Sequence, residues 1–83
     1  MLQIKVLGPG CANCEKLEAV AKQAVATSGI DAHIEKITDF AQIMSYNVLA
    51  TPGLVINEQL VSAGRIPSEA EVSTWVVNAL EAS

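Results

Sequence analysis

The chain opens on a strand-like run, Leu2-Gln3-Ile4-Lys5-Val6-Leu7, that stops at Gly8-Pro9-Gly10 and passes directly into an amphipathic segment beginning Cys11-Ala12-Asn13-Cys14. From about Cys11 to Ser28, the residues Cys14, Leu17, Val20, Ala21, Ala24 and Val25 recur at three- and four-residue steps, which predicts a helix with one apolar stripe. Such a helix has to fold back over the strand that precedes it to bury that stripe, so the first thirty residues already call for an α/β layer. Cys14 falls on the stripe and Cys11 at its open end. Gly29 suits the helix's end because it takes a left-handed backbone at little cost.

Residues 30 to 37 read as a second strand, where Asp31, His33 and Glu35 alternate with Ala32 and Ile34, as expected of an edge strand with one exposed face. Thr38 or Asp39 can cap a short second helix burying Phe40, Ile43 and Met44, with Gln42 placed to complete a box with Asp39. Leu54-Val55-Ile56 and Gln59-Leu60-Val61-Ser62-Ala63 are parted only by Asn57-Glu58, which predicts a two-residue antiparallel hairpin; Asn suits the positive φ of that turn and Glu does not. Gly64 ends this strand. Ser68 and Glu71 form a Ser-x-x-Glu box opening a last helix with the stripe Val72, Trp75, Val76, Ala79 and Leu80. The order β-α-β-α-β-β-α implies a mixed four-stranded sheet flanked by three helices, its first two strands parallel through the helical crossover.

At 83 residues and 51% hydrophobic content, one domain spanning residues 1–83 with one core is expected, without the disulfide density of small secreted scaffolds. The formal charge of -4, with only Lys5, Lys16, Lys22, Lys36 and Arg65 as scattered cations, argues against nucleic acid or an anionic membrane as partner. The chain enters its first strand at once, so no signal peptide is expected, and no apolar run approaches the roughly 20 residues that span a bilayer. The expected compartment is the cytoplasm, where a cysteine pair is more often catalytic or metal-binding than a structural staple.

Cys11 and Cys14 are the only cysteines, and at this spacing their sulfurs can meet across one helical turn. The reactive species in disulfide exchange is the thiolate. An ordinary cysteine of pKa about 8.5 is scarcely ionised at neutral pH, whereas one at a helix N-terminus in such a motif falls to about 7 or below. Free N–H groups and the positive end of the dipole favour the anion at Cys11, and Gly10 leaves an approaching disulfide unobstructed. Cys11 is therefore expected to attack and Cys14 to resolve the mixed disulfide, with no prosthetic group required. Ala50-Thr51-Pro52-Gly53, just before the third strand, is a natural place for a cis X-Pro bond, with the Thr51 backbone open to an extended substrate peptide. The same residues also fit a loop proline that merely starts a strand.

Cys11-Ala-Asn-Cys14 after the first strand, Thr51-Pro52 before the third, Gly64 after the fourth and the element order together resemble the thioredoxin superfamily over nearly the whole chain. The nearest likeness is to its small glutaredoxin-like branch of redox-active disulfide proteins, with their Gly-x-Gly-Cys-x-x-Cys opening and Thr-Pro-x-Leu-Val-Ile segment. The resemblance implies a thioredoxin fold, thiol–disulfide oxidoreductase activity, Cys11 as nucleophile, Cys14 as resolving thiol, Pro52 as the cis-proline, and substrate contacts at Gly10, Thr51 and Pro52. Implied partners are a disulfide-containing protein substrate and an upstream reductase or small thiol, with the protein a monomer. The chain departs from the family in its motif interior, Ala12-Asn13, in lacking a tryptophan before Cys11, and in having no strand acid matching thioredoxin's buried carboxylate.

Two thiolates also suit Cu(I) or another soft metal, and heavy-metal-associated domains place a Cys-x-x-Cys likewise. That family usually carries Met where this chain has Pro9, and ends in a strand rather than a helix. Structural zinc wants four ligands, and only His33 could join the pair. A third reading is a binding module with an inert or regulatory disulfide. Trp75 reads as core packing, Lys5 as a packed stem with a solvated ammonium that could alternatively be a partly buried charge tuning the dithiol, and Arg65 as a solvent-facing side chain that could alternatively meet a substrate carboxylate.

Overall fold

A computed structural model describes residues 2–10 and 12–82. Its elements run β1 (Leu2–Leu7), α1 (Ala12–Ser28), β2 (Ala32–Ile37), α2 (Phe40–Ser45), β3 (Gly53–Ile56), β4 (Gln59–Ala63) and α3 (Glu69–Ala82). The four strands form one sheet in the order β2-β1-β3-β4. β1 pairs in parallel with β2 from Leu2↔Ala32 to Leu7↔Ile37, and antiparallel with β3 from Ile4↔Ile56 to Leu7↔Gly53. The mixed sheet and its three helices match the expected architecture, and β2 is indeed an edge, with His33 and Glu35 exposed.

Alternation along β1 divides the core in two. Leu2, Ile4 and Val6 point to one face, where they join Leu54 and Ile56 of β3, Leu17, Ala21 and Ala24 of α1, and Val72 and Val76 of α3. Leu7 and Val55 point to the other, against Ile37, Ile43 of α2 and Val48. Each Leu, Ile or Val so enclosed contributes about 1.5–3 kcal/mol relative to an exposed side chain. The larger cluster carries α1, and with it the segment that presents Cys14.

Local signals hold where the sequence placed them. Ser68 Oγ accepts the Glu71 N–H at 3.1 Å while a Glu71 carboxylate oxygen accepts the Ser68 N–H at 3.1 Å, a reciprocal cap on α3. Asp39, rather than Thr38, caps α2, its Oδ2 accepting the Gln42 N–H at 3.1 Å. The β3–β4 turn has Asn57 at φ 49° and Glu58 at φ 68°, the two positive values of a mirror-image hairpin turn. Glu58 is steadied there by Lys5 Nζ at 2.6 Å, and Asn57 exchanges two bonds with the Gln3 backbone, its N–H donating at 2.7 Å and its Oδ1 accepting at 3.0 Å.

Two expectations about the core are corrected. Phe40 and Met44 are 68% and 48% exposed, and Ile43 alone of α2 is buried. A helix of six residues can turn only one short row toward the sheet, and Ile43 takes it. Leu80 is also outside the core, at 47% exposure. At roughly 100° per residue it lies about 80° round from Val72, whereas Ala79 lies about 20° from it. No helix among the described residues is long and apolar enough to cross a membrane.

Candidate functional site at the start of α1

The site assembles where β1 runs out. Gly8 N–H donates to the Ile37 carbonyl at 3.0 Å, extending the β1–β2 ladder one residue beyond the strand and holding the loop backbone in place. Pro9 and Gly10 are exposed, and Gly10 has φ 94°, a conformation in which a side chain would be strained. Around Gly10 nothing lies within 4 Å of where a β-carbon would stand, consistent with an open approach. Cys11 lies outside the described residues. Cys14, in the first turn of α1, is 3% exposed and continues inward the row of Leu17, Ala21 and Ala24.

Gly8 and Cys14 come together here with Thr51 from a distant part of the chain. A β-carbon built on Gly8 would overlap Cys14 Sγ, lie 3.3 Å from Cys14 Cβ and lie 3.9 Å from Thr51 Cβ. The Cys14 sulfur therefore rests on the bare backbone of Gly8, with Thr51 alongside. The Thr51-Pro52 peptide bond is cis, as expected from the sequence; Pro52 is buried and Thr51 exposed. The Pro52 carbonyl accepts the Gly64 N–H at 2.9 Å, which ties this loop to the end of β4. Gly8 was not among the candidates read from the sequence. Its signal was a second glycine in a turn where Gly10 alone has positive φ.

Beside Thr51 an open groove of about 480 Å³ is lined by Pro9, Phe40, Ile43, Met44, Leu49 and Thr51 among others, none of them charged. Leu49 is 97% exposed. Phe40 and Met44, which stand outside the core, thus join Leu49 in an apolar surface that reaches Pro9 and Thr51.

Charge is kept elsewhere. Among the described residues Ser62 is the one buried polar side chain, so no described carboxylate is buried against Cys14. Lys5, which could have faced the dithiol, instead donates to Glu58 and to the Tyr46 hydroxyl at 2.8 Å, and Tyr46 O–H donates to Glu58 at 3.1 Å. Glu58 first and Tyr46 second hold the ammonium above the usual lysine range, and Lys5 in turn lowers Glu58. Arg65 forms a two-pronged pair with Glu71 at 2.8 and 3.2 Å and stands 6.0 Å from the Trp75 ring centre. No three His, Cys, Asp or Glu side chains among the described residues come together as a metal cluster.

A family model described as a thioredoxin domain matches residues 2–77. The chain belongs to the thioredoxin family. A thioredoxin from Methanothermobacter thermautotrophicus is 43% identical over 72 residues, covering 87% of this chain and 94% of that protein. A thioredoxin from Methanocaldococcus jannaschii is 37% identical over 81 residues, covering 98% and 93%. The solution structure of oxidised thioredoxin from Plasmodium falciparum superposes with a TM-score of 0.59 over 93% of this chain and 79% of that one, at 12% identity, a likeness of fold. As a thioredoxin-family member the protein is a thiol–disulfide oxidoreductase.

Proposed function

We propose that this chain is one thioredoxin-like domain of the small glutaredoxin-like branch, and that it exchanges a Cys11-Cys14 dithiol for the disulfide of a polypeptide substrate. The observation that carries the reading is the seat of the Cys14 sulfur, enclosed against Gly8 and beside Thr51 in the first turn of α1. Cys11 precedes the first residue of α1 in the chain, which favours its thiolate through the helix's free N–H groups. The Cys11 thiolate attacks one substrate sulfur, so that a Cys11–substrate disulfide forms, the substrate S–S bond breaks and the released substrate thiolate takes up a proton. The Cys14 thiolate then attacks Cys11, releasing the second substrate thiol and leaving a Cys11-Cys14 disulfide. Two electrons pass from the protein to the substrate, and no prosthetic group takes part.

Gly10, Thr51 and Pro52 are the proposed substrate contacts, with the Thr51 backbone pairing to an extended chain. The uncharged groove running from Thr51 past Phe40 and Leu49 supports a polypeptide rather than a small thiol as the principal substrate. An upstream reductase or small thiol would restore the dithiol in the cytoplasm, with the protein acting as a monomer.

Equilibration across a glutathione or dithiothreitol series, read by mass, tests this. A reversible two-electron transition between roughly -120 and -270 mV is expected. Cys11→Ser abolishes exchange, and Cys14→Ser accumulates the mixed disulfide. Failure to form the Cys11-Cys14 disulfide, together with tight Cu(I) binding, would replace this reading with a metal carrier.

A further inference from the structure

We propose that Gly8 is a positioning residue for the resolving step, its missing side chain setting where the Cys14 sulfur stands; the inference rests on the role of Cys14 proposed above. A β-carbon at position 8 would occupy the space of Cys14 Sγ and crowd Cys14 Cβ at 3.3 Å. Neither backbone is free to retreat. Gly8 is held by its 3.0 Å bond to the Ile37 carbonyl and follows the fully buried Leu7, while α1 is anchored by Leu17, Ala21 and Ala24, each with no exposed surface.

The cheapest response is rotation of the sulfur about the Cα–Cβ bond. In a helix one of the three staggered positions is already disfavoured by the preceding turn, so displacement leaves a single alternative. Resolution is an in-line attack by Cys14 on the Cys11 sulfur of the mixed disulfide, and a misplacement of about 1 Å in a reacting atom can slow such a step about a hundredfold. The first step forms its new bond at the Cys11 sulfur and does not use the Cys14 sulfur as a reactant. Gly8 therefore divides the two half-reactions: it is indifferent to formation of the mixed disulfide and required for its resolution.

The test is single-turnover reaction of the reduced full chain with a disulfide-bonded peptide, quenched by acid and followed by mass, in wild type, Gly8→Ala and Cys14→Ser. In Gly8→Ala the mixed disulfide is expected to form at the wild-type rate and to decay roughly a hundredfold more slowly, and alkylation of Cys11 by iodoacetamide is expected to be unchanged. Resolution at the wild-type rate in Gly8→Ala, with trapping in Cys14→Ser, overturns the inference and leaves the thiol roles standing. No trapping in Cys14→Ser overturns the thiol roles and the inference with them. If Gly8→Ala does not fold, Gly8→Ala combined with Cys14→Ala decides: with the sulfur gone the overlap is removed and only the 3.3 Å approach to the β-carbon of residue 14 remains, which a small shift relieves, so the double variant should fold. A double variant that also fails to fold shows that something other than the sulfur excludes a side chain at position 8, and overturns the inference.

Discussion

Lys5 Nζ and a Glu58 carboxylate oxygen lie 2.6 Å apart, joining the central strand β1 to the tip of the β3–β4 hairpin, with the Tyr46 hydroxyl bonded to both. Glu58 holds a positive φ of 68°, which a residue with a side chain tolerates poorly. The pair accounts for a glutamate where the turn prefers glycine. Glu58→Ala is expected to lower Tm, because it keeps the unfavourable backbone and removes the pair. Glu58→Gly loses the pair but relaxes the backbone, and its Tm should fall less. Thermal unfolding of the two variants at low and high salt checks this, with the wild-type advantage shrinking as salt rises. A larger loss in Glu58→Gly than in Glu58→Ala would refute the account.

Acid should weaken the start of α3 in a defined window. The Arg65 guanidinium, and after it the Ser68 N–H, hold Glu71 down to about 2 from an ordinary value of 4.5. The unfolded chain therefore binds this proton near pH 4.5 while the folded chain resists it until about pH 2. The stabilisation is complete above pH 4.5 and is lost as pH falls toward 2. Glu71→Gln, which can still accept from Ser68, should have a lower Tm than wild type at neutral pH, with a difference that closes across that window. A gap that stays constant from pH 7 to pH 2 would show that the carboxylate's charge is not its source.

Gly64→Ala is expected to destabilise the protein by about 1–3 kcal/mol. Gly64 has φ 77°, and a left-handed backbone costs an L-residue about 1–2 kcal/mol. A β-carbon there would also stand 3.0 Å from Ala50 Cβ, on the loop that carries Thr51. The urea midpoint should fall with little change in slope, the mark of a stability change alone.

Phe40→Ser and Leu49→Ser should separate binding from folding. Both side chains are more exposed than buried, so stability should change by no more than about 0.5 kcal/mol. If the groove receives part of a polypeptide substrate, KM for a disulfide-bonded peptide should rise roughly tenfold, the scale of one lost apolar contact. Reaction with a small disulfide should be unaltered. Equal losses on both substrates would remove the groove from the binding surface.

The elements legible in the sequence were those governed by near neighbours in the chain. The Ser68–Glu71 box, the Asp39 cap, the Asn57-Glu58 turn and the stripe carrying Cys14 each rest on groups a few residues apart, so spacing alone specifies them. The cis Thr51-Pro52 bond was likewise legible, since proline is the residue type that admits it. Phe40 and Met44 misled because apolar character shows that a side chain can be buried, not that anything stands opposite to bury it.

What the sequence by itself determined, then, was the order of elements, their caps and the place of Cys14 on the apolar stripe of α1, all set by local backbone preference and helical or strand period. The tertiary structure alone decided that β1 lies between β2 and β3, that Lys5 reaches Glu58, and that Thr51 comes to the backbone of Gly8 on which the Cys14 sulfur rests. Those relationships join residues far apart in the chain, and only the simultaneous burial of both sheet faces brings them within contact of one another.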